Sequence, residues 1–251
     1  MAGNKAYFAS DAHLGLDIKE HPLDAERRLV RWLDSIKGDA AYLFLLGDMF
    51  DYWFEYRHVV PKGYTRFIGK LGELSDLGVQ IFIFVGNHDI WMFDYLPKEV
   101  GATVIDGTLE MDIFGKRFFM AHGDGLGDPS KAFRFIRWFF RNKVCQVLYK
   151  MIHPWFTVPF GYAWSRHSRK SKLDDPTNFY LGEDSEYMVI FSKEHAKTHD
   201  DIDFYVYGHR HIMLDLEIQG GKRVVILGDW IDKYSYACFD GEKLELKRFE
   251  E

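Results

Sequence analysis

The first third of the chain alternates between two hydrophobic periods, and that alternation restricts the fold more than any other feature. Lys5–Ser10, Ala41–Leu46 and Val79–Val85 are short apolar runs rich in β-branched and aromatic residues, as buried strands are. Between them, Leu29, Val30, Leu33 and Ile36 of Asp24–Lys37 recur at helical spacing, as do Phe67, Ile68, Leu71 and Leu74 of Tyr64–Leu77. Asp24 reads as the cap of the first helix and Gly78 as the stop of the second. Strand–helix–strand–helix–strand is the pattern of a parallel sheet with crossover helices, an α/β fold.

The character then changes. Thr108–Ile113 and Arg117–Ala121 flank a hairpin-like break at Phe114-Gly115-Lys116. Asp203–Tyr207, Leu214–Ile218, Arg223–Leu227, Ser235–Phe239 and Leu244–Phe249 follow as short strands, and their close spacing suggests antiparallel pairing. Between the halves, Pro129–His199 reads as mostly helical. Phe133, Ile136, Phe140, Val144, Val147 and Met151 follow helical spacing beside a basic stripe of Lys131, Arg134, Arg137 and Arg141. His153-Pro154 reads as a stop, and Pro159 and Gly161 interrupt the aromatic stretch Trp155–Trp164. Glu183–His199 returns as a helix. The expected division is a core of residues 1–128 and 200–251 around a helical insertion, 129–199.

Charge separates the same segments. The chain of 251 residues carries a net charge of −6, yet Pro129–Lys172 holds ten Lys and Arg and no Asp or Glu. The remainder has 22 basic against 38 acidic residues, or −16. A basic segment on an acidic body implies an anionic partner for that segment. The insertion also carries Phe133, Phe135, Trp138, Phe139, Phe140, Trp155, Phe156 and Trp164. Most of these are expected to form the insertion's own core, and the rest to face a ligand or a membrane, because basic amphipathic helices with Trp and Phe are interfacial. Basic and aromatic surfaces also bind nucleic acid, but the acidic remainder argues against a long nucleic-acid track. Two cysteines give neither a disulfide framework nor zinc-ribbon spacing and suit a reducing compartment. Met1-Ala-Gly-Asn-Lys5 leads straight into a strand, so no signal peptide is expected, and no apolar stretch reaches the roughly 20 residues of a membrane span.

The chemistry lies where strands stop. Five segments end on ligand-type residues: Asp11 and His13; Asp48; Asn87, His88 and Asp89; His122; and His209 and His211. A single Asp or His after a strand is usually a turn residue or a packed ring, but five independent segments ending this way point to one site beyond the carboxyl ends of the strands. Asp51, close to Asp48, reads as an ordinary loop residue, as do His21, His58, His153, His167, His195 and His199. The donors are His, Asp and Asn without Cys, which is neither a thiolate site nor an all-oxygen magnesium or calcium site. Seven such side chains suit two ions sharing a carboxylate, an arrangement that supplies hydroxide near neutral pH for in-line displacement at phosphorus.

Asp-x-His, Gly-Asp, Gly-Asn-His-Asp, a lone His before Gly, and Gly-His-x-His, in that order, resemble the calcineurin-like metallophosphoesterases across the whole scaffold. The resemblance implies a two-sheet αββα sandwich. It implies two divalent ions, manganese first with iron or zinc as alternatives, one held by Asp11, His13, Asp48 and His211, the other by Asp48, Asn87, His122 and His209. It makes His88 the acid that protonates the leaving oxygen or stabilises the transition state, oriented by Asp89.

Gly47-Asp48-Met49-Phe50-Asp51-Tyr52-Trp53, His122-Gly123-Asp124 and Leu227-Gly228-Asp229-Trp230 narrow the resemblance to the UDP-2,3-diacylglucosamine pyrophosphatases of lipid A synthesis. These carry a helical cap between the lone His and Gly-His-x-His, where this chain has its insertion. The resemblance implies an acylated sugar nucleotide as substrate and a peripheral place on the cytoplasmic face of the inner membrane of a Gram-negative bacterium. It places Asn87, His88, Asp128, Arg166, Ser168, Lys170 and His209 at the substrate. His88 departs from the Arg usual there. The rival readings are another metallophosphoesterase, such as a nuclease, phosphodiesterase or phosphoprotein phosphatase, and a binding module on this fold that has lost catalysis. The sequence leaves oligomeric state open.

Overall fold

A computed structural model describes residues 3–127, 131–170 and 179–250, and of 131–133 and 167–170 the backbone only. Two sheets pack face to face. The first has the order β11-β10-β1-β2-β3-β4, with β1 (Lys5–Ala9), β2 (Ala40–Leu45), β3 (Gln80–Phe84) and β4 (Thr103–Ile105) parallel, and β10 (Ser235–Phe239) and β11 (Leu244–Arg248) antiparallel beside them. The second has the order β5-β6-β7-β9-β8. Its centre, β6 (Lys116–Ala121), β7 (Phe204–Tyr207) and β9 (Lys222–Leu227), is parallel, and its edges, β5 (Thr108–Ile113) and β8 (Met213–Ile218), are antiparallel. The late strands therefore pair antiparallel in the hairpins β5/β6, β8/β9 and β10/β11 and where β10 lies against β1. The long excursion between β6 and β7 serves as a crossover, and β8 sits outside β9, so the central pairs run parallel.

Side-chain alternation along each strand builds three cores. Phe8, Phe44, Phe118 and Phe239 fill the space between the sheets, where Phe8 stacks on Phe44 with ring centroids 5.0 Å apart. Tyr7, Leu43, Leu45, Ile81 and Ile83 face α1 (Pro22–Ile36), α2 (Thr65–Asp76) and α3 (Tyr95–Val100). Phe119, Tyr205, Tyr207 and Val224 face α7 (Tyr187–Ala196), which lies within 129–199 yet buries Met188 and Val189 against the second sheet. His21, rather than Asp24, caps α1, its side chain accepting from the Leu23 amide ahead of Pro22.

The rest of the insertion is α4 (Lys131–Arg141), α5 (Lys143–Lys150) and α6 (Pro154–Lys170). The expected continuous helix breaks at Asn142, whose side chain accepts from Val144 and Cys145 amides and starts α5. Proline 154 opens α6 rather than only stopping α5, and the helix continues through Pro159. Among the described residues the insertion does not enclose a core of its own, and the side chain of Phe133 lies outside them. Trp155 is 76% exposed and Phe156 68%, and Phe135, Trp138, Phe139 and Trp164 are also exposed. The helices instead dock by their inner side: Tyr149 and Tyr162 meet Tyr52 and Tyr64 hydroxyl to hydroxyl at 3.2 and 2.8 Å, and Trp91 donates to the Phe140 carbonyl. Arg137 and Arg141 do not join a free basic stripe. Both pair with buried Asp124, at 2.7 and 3.3 Å, and tie α4 to the loop after β6.

Candidate metal centre and the cavity above it

β1, β2, β3, β6 and β7 all deliver their polar ends to one edge of the sandwich, so the seven residues expected as ligands come together. The loops that carry them are unusual. Asp11, His13, Asp48, His209 and His211 all have φ between 43° and 66°, the left-handed region that side chains avoid. Backbone held there must be over-determined by its surroundings and concentrates at functional sites. The preceding glycines make room: a Cβ on Gly86 would overlap Asp48, on Gly47 the His122 ring, and on Gly208 Asp11 and Ser10. This is the physical content of Gly-Asp, Gly-Asn-His and Gly-His at strand ends.

The side chains form two adjoining groups, Asp11/His13/His211 and Asp48/His122/His209. Asp48 Oδ2 lies between them, 3.6 Å from His13 Nε2 and 3.4 Å from His122 Nε2. Asn87 Oδ1 joins the second group 3.2 Å from His122 Nε2, and His209 Nδ1 is 3.2 Å from the same nitrogen. His122 Nδ1 donates to the Leu46 carbonyl at 2.7 Å, which fixes the tautomer with its Nε2 lone pair facing the group. His211 Nδ1 faces Asp229 at 3.6 Å, and Asp229 is itself held by three backbone amides and Lys233.

Cations fit this arrangement. Asp11 Oδ1 is buried and makes no hydrogen bond, facing His211 Nε2 at 3.5 Å and His13 Nε2 at 3.8 Å. Such an oxygen is costly unless a cation or donor meets it. Burial alone would raise Asp11 and Asp48, yet His211 and His13 hold the first below the usual carboxylate range, and His122 and His88 the second. Burial lowers His122, but Asp48 and Asp11 overcome it and push the imidazole up to about 10. The carboxylates thus draw positive charge into the centre, and divalent ions held there would supply it.

Asp89 has a different place from the one expected. Its carboxylate turns back and accepts from the amides of Gly86 and Asp48 at Oδ1 and of Met49 and Phe50 at Oδ2. It clamps the β2 and β3 loops together rather than orienting His88. Burial and the Asp48 charge push it up to about 7. His88 Nδ1 instead meets the Asp51 carbonyl at 3.2 Å and Ser165 Oγ at 3.1 Å. Asp51 is buried and also lies 3.7 Å from His13 Nδ1. The repeat of Asp three residues after Asp48 was the available signal for it. Ser165 comes from the insertion, and nothing in its aromatic surroundings distinguishes it in the sequence.

Above His88 and Asn87 lies a cavity of about 630 Å³ between core and insertion. Its polar end holds Asp51, Asn87, His88 and Ser165, and its walls are Ile136, Phe139, Phe140, Leu148, Ile152, Phe160, Trp91 and Trp164. Of the residues expected at the substrate, Asn87, His88 and His209 are at the centre. Arg166 is exposed on α6, and it does not line the cavity. Asp128 and the side chains of Ser168 and Lys170 lie outside the described residues.

An αββα sandwich with seven N/O donors at one edge defines a metal-dependent hydrolase of phosphate esters. The chain matches the description "Calcineurin-like phosphoesterase" over residues 5–213 and belongs to that family. It is 44% identical over 258 residues to a UDP-2,3-diacylglucosamine hydrolase of Porphyromonas gingivalis, covering 99% of this chain and 98% of the relative. A UDP-2,3-diacylglucosamine hydrolase of Neisseria meningitidis is 26% identical over 231 residues, 92% of this chain and 91% of that one. Among solved structures, Yfce, a phosphoesterase from E. coli, is 18% identical with a TM-score of 0.46, covering 97% of this chain and 92% of that one.

Proposed function

We propose that this chain hydrolyses the pyrophosphate of UDP-2,3-diacylglucosamine to UMP and 2,3-diacylglucosamine 1-phosphate, with two manganese ions at the centre. The observation that carries the reading is the largely apolar cavity that reaches His88 and Asn87, the latter one of the candidate metal ligands. A substrate fitting it needs a phosphoryl group at one end and hydrocarbon at the other, and its volume falls within the roughly 300–1,000 Å³ of ligand pockets. The names of the relatives support the same substrate.

Asp11, His13, Asp48 and His211 would hold one ion and Asp48, Asn87, His122 and His209 the other. The ions supply Lewis acidity, an activated water near neutral pH and charge neutralisation at phosphorus. His88 manages the proton on the leaving side. Its Nδ1 carries hydrogen toward the Asp51 carbonyl, so Nε2 is the nitrogen whose protonation changes as the leaving oxygen departs. The insertion walls keep water from the hydrocarbon and hold the substrate against His88.

The outer face of the insertion supports a peripheral site on the cytoplasmic face of the inner membrane. Trp138, Trp155, Phe156 and Met151 are exposed on the insertion, as is Arg134, an interfacial composition. No helix among the described residues is long and apolar enough to cross a membrane.

The test is a substrate panel with manganese: UDP-2,3-diacylglucosamine, its deacylated analogue, bis-p-nitrophenyl phosphate and single-stranded DNA. The expected kcat/KM for the lipid exceeds that for the deacylated analogue at least about tenfold, a margin of ~1.4 kcal/mol. Phe139→Ser and Leu148→Ser should shrink that margin and spare the small diester. Equal turnover of every diester would sink the assignment. For the membrane, co-sedimentation with anionic vesicles should fall for Trp155→Ser, and no binding by the wild type removes that part.

A further inference from the structure

Glu110 on β5, His195 on α7 and His199 just beyond it each place a ligand atom within 4.8 Å of the other two. They lie on the outer face of the second sheet. His195 is seven residues along from Met188, which packs by Gly123 near the centre, or about 10 Å at the helical rise. We propose that these three residues form a separate site for one first-row dication of the Zn²⁺, Ni²⁺ or Cu²⁺ class.

The backbone sets the spacing. The His199 amide still bonds the His195 carbonyl, so the helical turn continues past α7 and stacks the two rings, 3.7 Å apart and 8° from parallel. Both Nδ1 atoms have hydrogen-bond partners other than Glu110. His199 Nδ1 reaches the His195 carbonyl at 3.1 Å, a contact that only a protonated Nδ1 can make. His195 Nδ1 reaches the Tyr205 hydroxyl at 3.2 Å, and a phenol oxygen accepts as well as donates. Imidazoles supported in this way at Nδ1 present Nε2 as the ligand. Phe119 and Phe191 flank the His195 ring and exclude water on that side.

Glu110 supplies the third donor at little cost. Its partner Arg117 also holds Asp112, at 2.9 Å, so Glu110 can turn to an ion while Arg117 stays paired. Tetrahedral ligands about 2.1 Å from zinc stand about 3.4 Å apart. Closing the present spacing takes rotation of the flexible glutamate and a tilt of the two stacked rings that turns both Nε2 lone pairs toward one point. Two imidazoles and one carboxylate, with positions left for water, suit zinc, nickel and copper, whereas manganese stands lowest in the affinity order for such a set. An ion here would fasten the edge strand β5 to the end of α7.

The experiment uses the full chain loaded with Mn²⁺, titrated with Ni²⁺, desalted and analysed for both metals. The wild type should take up about one Ni²⁺ per chain beyond any that replaces manganese, and its thermal midpoint should rise. His199→Gln and Glu110→Gln, both at partly or fully exposed positions, should lose that uptake and the thermal shift while hydrolysing phosphodiesters normally. Tyr205→Phe keeps all three ligands and should weaken Ni²⁺ about 10–100-fold. Equal Ni²⁺ uptake by wild type and His199→Gln, or wild-type uptake no greater than the manganese released, overturns the site.

Discussion

Asp89→Asn separates two accounts of Asp89. The substitution keeps the shape of the side chain and replaces one acceptor oxygen with a donor. Each carboxylate oxygen serves one amide at 2.8 Å and one at 3.3 Å, so either orientation of the new amide costs one short and one long bond. A buried donor left unsatisfied costs about 1–3 kcal/mol, and the longer bonds lie at the low end, so the loss is about 2–4 kcal/mol. Against a total stability of about 5–15 kcal/mol this is large. At about 2–4 °C per kcal/mol, the thermal midpoint should fall by about 4–16 °C. The assay is differential scanning calorimetry at pH 8 with manganese, beside turnover of bis-p-nitrophenyl phosphate. If Asp89 only oriented His88, the midpoint would stay and the pH–rate profile would move. An unchanged midpoint with a displaced profile refutes the clamp.

Three further outcomes follow from the geometry. Asp48→Ala removes the oxygen shared by both groups, so elemental analysis should find both ions depleted and activity lost; retention of two ions would deny the sharing. His88→Ala should keep both ions and slow the poor-leaving-group substrate about 10²–10⁴-fold, with a smaller loss for p-nitrophenyl esters; equal losses would remove the proton-donor role. Asp34 is held down to about 2 by Lys37 and Lys70. With its folded value below the unfolded one, its contribution is present above about pH 3.8 and is lost as pH falls toward 2, so Asp34→Asn should flatten the acid decline in stability across that window. The pair is exposed, so the effect should be small and should vanish in high salt.

The centre was legible in the sequence because each ligand follows a strand that reads clearly, and parallel strands bring their carboxyl ends to one edge. β4 was not, because three residues carry too little periodicity, and α3 is a six-residue helix with the same weakness. Parallel pairing of β6, β7 and β9 was hidden because spacing along the chain reports hairpins, not crossovers. The insertion misled for another reason. Helical periodicity reports that a face is apolar but not what covers it, and here Trp155 and Phe156 turn outward while Tyr149 and Tyr162 dock. Arg137 and Arg141 read as part of a basic stripe awaiting an anionic partner because the carboxylate that pairs with them, Asp124, comes from a different element.

β6 and β7 are neighbours in the sheet, although one ends at Ala121 and the other begins at Phe204. The entropy of closing such an excursion grows only with the logarithm of its length, about 0.6 kcal/mol for each doubling. Evolution can therefore lengthen, shorten or exchange the part of this excursion ahead of α7 at almost no charge to the sandwich or its metal ligands, while α7 stays to cover the second sheet with Met188 and Val189. What an exchanged segment must keep is a short set of fastenings: a hydroxyl for Tyr52 and another for Tyr64, an acceptor for Trp91, a cation for Asp124 and an acceptor beside His88 Nδ1. Substrate choice in this architecture is a replaceable part, and a graft that respects those five points should carry its own preference onto an unaltered centre.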